Sequence, residues 1–155
     1  MAYDSTGTEL DEALRDWFKS IKSQTEDLTL LDRQDITRAG GKVFAKHLRE
    51  ETRAKHYSSH KDSAHGHAAD HISASGVKDS GKNRYEIGAT DIGWSDRYHA
   101  MNMMRVNDGT RKIHGDHFIT NLQNDHSIVN EVLNAEKREY AKIVAKKQSQ
   151  NGGAS

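Results

Sequence analysis

The order of patterns along the chain predicts an α+β fold: a small antiparallel sheet packed with two or three helices, including a long C-terminal helix. Three observations carry this. Apolar residues recur at helical spacing in two early segments and again near the C-terminus; a short middle region alternates apolar and polar residues around turn-like clusters. At 155 residues, 34% of them hydrophobic, with a mean hydropathy of -0.93, the chain has enough apolar surface for one modest core.

The first helix follows Thr8, where Thr8 and Asp11 read as a helix-start box and Leu10, Leu14, Trp17, Phe18 and Ile21 share one face. A polar link through Ser23 to Glu26 leads to a second helix, residues 31–56, whose Ile36, Ala39, Val43 and Leu48 form its apolar stripe. Gly40 and Gly41 interrupt it. Each glycine costs about 1 kcal/mol against alanine inside a helix, so the pair predicts a kink or a close backbone contact.

Half of the ten histidines fall between His56 and His71. That stretch is dense in Ser, Asp, Gly and His and has no clean period, which predicts a histidine-rich loop at about 57–69. Beyond it, Ile72, Ala74 and Gly76 alternate with polar residues. After the turn-like run Asp79 to Asn83, Tyr85, Ile87 and Ala89 alternate again, completing a predicted hairpin that Asp91 to Trp94 extends. Ser95-Asp96 caps a short helix carrying Tyr98, Met101 and Met104, and Asn107-Asp108-Gly109-Thr110 is the strongest turn signal in the sequence. From about Asp116, the spacing of Leu122, Val129, Leu133, Tyr140 and Val144 predicts one long helix. Residues 1–147 are expected to form a single domain and 148–155 a disordered tail.

Lys plus Arg and Asp plus Glu both number 23. This balance predicts no attraction to phosphate backbones from net charge, although a local basic patch remains open. With no cysteine there is no disulfide framework and no thiolate metal site. No apolar run is long enough to span a bilayer and nothing resembles a signal peptide, so a soluble protein with no membrane partner is expected.

Zinc is the sharpest chemical reading of the histidines, since the spacing His65-x-His67-x3-His71 could gather two or three imidazoles. A functional site also needs fixed ligands and supporting partners, which the surrounding composition does not suggest, so a loop without a functional metal is the preferred reading. Asp116-His117 followed by Asn121, Asn124 and His126 superficially resembles the one-metal His-Asn-His nucleases. Those place the first histidine on a strand and the second on a following helix, whereas here one helix is predicted to carry them all, with Asn124 and His126 on different faces. There is no glycine-rich phosphate loop and no nucleophile elbow. No catalytic residue, cofactor or metal is expected. Trp17, Phe18, Phe44, Trp94, Tyr98, Phe118 and Tyr140 lie in apolar patterns that suit a core or an interface better than base stacking.

Taken together, the segments Ala39-Gly40-Gly41-Lys42-Val43-Phe44-Ala45, His67-Ala68-Ala69-Asp70-His71-Ile72, Ile87-Gly88, Tyr98-His99-Ala100, Asn107-Asp108-Gly109-Thr110 and His117-Phe118-Ile119 resemble, in order and separation, the neck proteins of long-tailed bacteriophages. These are also described as head-tail joining or tail completion proteins. The resemblance spans roughly residues 36–140. His67 to Ile72 is similar to the family's His-Leu-x-Asp-x-Ile approach to its first strand, Gly109-Thr110 to its Gly-Thr turn, and Phe118-Ile119 to the Phe-Leu opening of its last helix. The family usually has prolines in the loop and before that Phe; this chain has none.

The resemblance implies a non-enzymatic virion protein of the neck, present in the host cytoplasm during assembly. It would form a ring of six-fold order, with a head-closure connector protein and a tail-terminator protein as partners and DNA passing non-specifically through the channel. Trp94, Tyr98, Asp108, Gly109 and Thr110 are the expected subunit or partner contacts, with a core role as the alternative for the two aromatics. Two other readings stay open: a small metal-dependent nuclease built on the histidines, and a tail-terminator or adaptor protein at another level of the neck.

Overall fold

The structure, a computed structural model, describes residues 7–21, 28–56, 64–76 and 88–153. Five α-helices and a two-stranded antiparallel sheet are present among them, as the α+β reading expects.

Helix α1 (Glu9–Ile21) opens on a reciprocal cap: Asp11 Oδ2 accepts from the Thr8 N–H at 3.2 Å, while Thr8 Oγ1 accepts from the Asp11 N–H at 3.4 Å. Helix α2 (Leu30–His56) uses the same device, with Thr29 N donating to Asp32 Oδ2 at 2.9 Å and Asp32 N to Thr29 Oγ1 at 3.1 Å. Between these caps and their C-terminal turns both helices run unbroken.

Helix α2 is the central element, with the sheet packed against it and helix α5 (His126–Gly152) forming its most extensive contact. Gly40 and Gly41 make this possible by lying on adjacent faces. A Cβ at Gly41 would stand 3.1 Å from Thr90 Cγ2 and 3.5 Å from Ala74 Cβ on the sheet, and one at Gly40 would overlap Glu136 of α5. Of the two expectations for this pair, the close backbone contact is the one realised; α2 continues through both glycines.

Strand β1 (Ile72–Gly76) pairs with β2 (Thr90–Trp94), Ile72 opposite Trp94 and Gly76 opposite Thr90. The expected second strand lay earlier. Tyr85 and Ile87 and the Asp79 to Asn83 turn fall outside the described residues, and Ala89 precedes β2 rather than lying in it. The register follows α2 rather than the apolar alternation: Thr90 Oγ1 shares a 2.8 Å hydrogen bond with Thr37 Oγ1, and Thr37 Oγ1 also donates to the Gly88 carbonyl at 2.8 Å. Thr90 and Ile92 therefore face the helix.

Asp96 caps helix α3 (Arg97–Asp108), its Oδ1 accepting from the Tyr98 N–H at 2.6 Å. The single helix expected from Asp116 is in fact two, α4 (Phe118–Gln123) and α5. Asp125 causes the break: its backbone is extended, and its Oδ1 accepts from Ser127 N at 2.9 Å and Ile128 N at 3.3 Å, starting a new helix. Helix α5 continues through residues 148–152 of the expected tail, and residues 154–155 lie outside the described residues. Lys147 on this extension pairs with Asp32 at 2.8 Å, holding the last turns of α5 against the start of α2.

The main core gathers Leu10, Phe44, Leu48, Ile72, Phe118 and Val129 from α1, α2, β1, α4 and α5. A second cluster of Trp17, Leu28 and Ile36, with Tyr140 packed against it, closes the opposite end of the α2–α5 seam. None of the described helices is long and apolar enough to cross a membrane.

Candidate functional site

Helix α3 and the loop after it carry the largest group of exposed large apolar side chains among the described residues. Tyr98, Met101 and Met104 are 48%, 45% and 47% exposed, and Ile113 in the loop is 55% exposed. The spacing of Tyr98, Met101 and Met104 places them on one side of the helix, with Arg97, Arg105 and Asp108 exposed among them. The opposite side turns inward: His99 is buried, and Met103 and Val106 pack against the core.

Asn107 anchors this surface from below. It is buried, and its Oδ1 accepts from the Ile119 N–H at 2.9 Å and the Thr120 N–H at 3.3 Å, capping the first turn of α4 from another element. Its Nδ2 donates to Asp108 Oδ1 at 2.8 Å and to Thr120 Oγ1 at 3.3 Å. Backbone bonds from Asp116 N to Val106 O and from His117 N to Asn107 O, both 3.1 Å, close the loop onto the end of α3.

Gly109 makes the reversal with a φ of 85°, and its N–H donates to the Arg105 carbonyl at 2.8 Å. Thr110 Oγ1 then accepts from Lys112 N at 3.2 Å and Ile113 N at 3.1 Å, fixing the tip. Two shallow grooves meet here. One runs along Met101, Met104 and Arg105, the other around Arg111 to His114, and Asp108 and Gly109 line both.

Of the five expected contact residues, the structure brings Tyr98, Asp108, Gly109 and Thr110 onto this one surface. Trp94 goes elsewhere. Its ring packs against the core edge-on to Phe118, centroids 6.5 Å apart, with its indole N–H buried and without a hydrogen-bond partner. Sequence reasoning placed Met101 and Met104 in an apolar pattern but did not assign them to the surface, and it missed Asn107 as a tether.

The described histidines of the connector are ordered by ring contacts. His65 stacks on Tyr98 at 4.3 Å, His71 on His99 at 4.8 Å, and His99 Nε2 lies 2.9 Å from the His65 carbonyl. This packing fixes the approach to β1 against the start of α3. Residues 57–63 of the expected loop lie outside the described residues, and 68–71 form a short 3-10 turn. Among the described residues no three His, Cys, Asp or Glu side chains are grouped to hold a metal ion.

The nuclease-like residues serve helix ends instead. Asp116 Oδ1 accepts from Phe118 N at 3.1 Å, and Asp116 Oδ2 stands 2.9 Å from His56 Nε2, though off the line of a hydrogen bond. Asn124 Oδ1 accepts from Glu9 N at 3.0 Å, and His126 pairs with Glu9. Asn121 and His126 sit on different helices because of the break at Asp125.

One buried carboxyl lies apart from all of these. Glu136 on α5 is 4% exposed, and burial pushes its pKa from 4.5 up to about 8, so it is protonated at neutral pH. Compared with known proteins, the chain matches no family model, no curated protein and no solved structure.

Proposed function

We propose that this protein is a structural, non-enzymatic subunit of a phage neck, forming a ring between the head-closure connector and the tail terminator around the DNA channel. The exposed α3 surface carries the reading: a chain with only 34% hydrophobic residues leaves Tyr98, Met101 and Met104 nearly half exposed on a single helix. Such surface is stabilised when another subunit covers it, and a ring shares that burial over every copy. The order of elements supports the same reading, since a long helix, a short turn into a small sheet, a short helix, the Gly109-Thr110 reversal and Phe118 at a helix start follow one another as in the resembling family.

The test is deletion of the gene from the phage that carries it. Electron micrographs of the lysate should show DNA-filled heads and separate tails of normal length that fail to join. Empty heads would assign the protein to head closure, and tails of abnormal length to termination.

A further inference from the structure

Six of the seven large apolar side chains exposed among the described residues fall into two groups: Tyr98, Met101, Met104 and Ile113 on α3 and its loop, and Leu30 and Leu31 at the start of α2. The groups lie at opposite ends of one long element. The α3 end is tied to the last turns of α2, through His71 stacked on His99, Arg53 paired with Asp70 at 2.9 Å, and Phe118 packed on His56. Leu31 precedes those turns by about 20 residues, or roughly 30 Å of helix. The two patches cannot cover each other within one chain.

Charge decides how copies can meet. Met101 stands one helical turn from Arg97 and from Arg105, both exposed and neither paired with a carboxylate among the described residues. Leu31, 71% exposed, stands one turn from Asp35, which among the described residues pairs with Arg38 at 3.8 Å on an open surface. Two α3 faces paired about Met101 would set Arg97 of one copy against Arg105 of the other, with Asp108, bonded to Asn107 Nδ2, at the margin of the contact. An α3 face against the start of α2 sets these arginines against Asp35, with methionine on leucine between. The zero net charge of the chain leaves no long-range repulsion to oppose the contact.

We propose that the α3 face of one copy docks on the N-terminal end of α2 of a second copy, Met101 against Leu31 and Arg97 or Arg105 against Asp35. Because the two surfaces differ, the contact is head-to-tail and repeats, and in the ring reading the repeat closes on itself. This rests on the ring reading above and names its interface.

The absence of cysteine makes the contact testable in the full chain by disulfide trapping with Met101→Cys and Leu31→Cys, both at exposed positions. Under mild oxidation a mixture of the two single variants should give a cross-linked dimer and the double variant a ladder of multimers, while each single variant alone stays monomeric. Arg97→Glu with Arg105→Glu should abolish the cross-link, and Asp35→Arg in the partner should restore it. Dimers from Met101→Cys alone, or no cross-link in the mixture, overturn the proposal. The outcome is separable from the deletion phenotype. Unjoined heads and tails without the cross-link remove this interface and leave the neck reading, whereas the cross-link with normal joining does the reverse.

Discussion

Glu136 of α5 lies directly against Gly40 of α2: a methyl group at residue 40 would stand 2.6 Å from its Cγ and 2.9 Å from its Cδ. Its Oε2 is buried without a hydrogen-bond partner. The principal helix pair of the fold therefore closes with a carboxyl where a hydrocarbon would be expected, and the missing side chain at residue 40 is what gives that carboxyl room.

The carboxyl makes stability depend on pH. Its pKa is about 8 in the folded protein against an ordinary 4.5, so the folded state holds a proton that the unfolded state releases between those values. The contribution of Glu136 is full below pH 4.5, falls progressively as pH rises to about 8, and is flat beyond. Glu136→Gln, neutral throughout, should gain on the wild type steadily from pH 5 to pH 8 in urea melts. A difference that stays constant over that range contradicts the account.

Gly40→Ala should destabilise although alanine favours helices by about 1 kcal/mol. The added methyl must displace Glu136, and overpacking of this kind typically costs 1–3 kcal/mol. Combined with Glu136→Ala, the loss should be clearly less than the sum of the two single losses, which a double-mutant cycle measures.

Gly109→Val should cost at least about 1–2 kcal/mol from the left-handed backbone alone. A Cβ there would also stand 2.7 Å from Gly115 N and 2.9 Å from Ile113 O, so the 110–115 loop must shift. Asp108 and Thr110 move with it. If Asp108 and Thr110 lie at a subunit contact, as the proposed function has it, assembly should suffer more than monomer folding, read as loss of complementation beyond what the lowered Tm explains.

Asn107→Ala should cost about 1–3 kcal/mol, because it leaves the Ile119 and Thr120 N–H groups without their acceptor in a part-buried site. Asn107→Asp keeps that acceptor but sets a carboxylate beside Asp108. It should fall between wild type and alanine in chemical denaturation.

What was legible in the sequence was local. The Thr8/Asp11 box, the Asp96 cap and the Gly109 reversal each depend on residues within a few positions, and each appears where expected. The break at Asp125 was hidden because Leu122 and Val129 are seven residues apart, two helical turns, so the apolar period runs across it unchanged. Near the helical end of α5, Lys147 pairs with Asp32, a partner over a hundred residues away that no local pattern reveals. At the candidate site, Tyr98, Met101 and Met104 have the spacing of a core stripe, and periodicity does not say which stripe faces solvent. Trp94 and Tyr98 illustrate this: two nearby aromatics, one packed on Phe118 and one half exposed beside His65. Asn107 likewise acts on α4 a dozen residues onward, which no local pattern reveals.

The claim that the protein joins heads to tails is tested most directly by in-vitro completion. Purified protein added to a lysate of the deletion phage, containing filled heads and free tails, should restore plaque-forming particles in proportion to the amount added. Joined virions should be visible in micrographs of the same sample. An unchanged titre with wild-type protein that is folded and present in excess would contradict the proposed function.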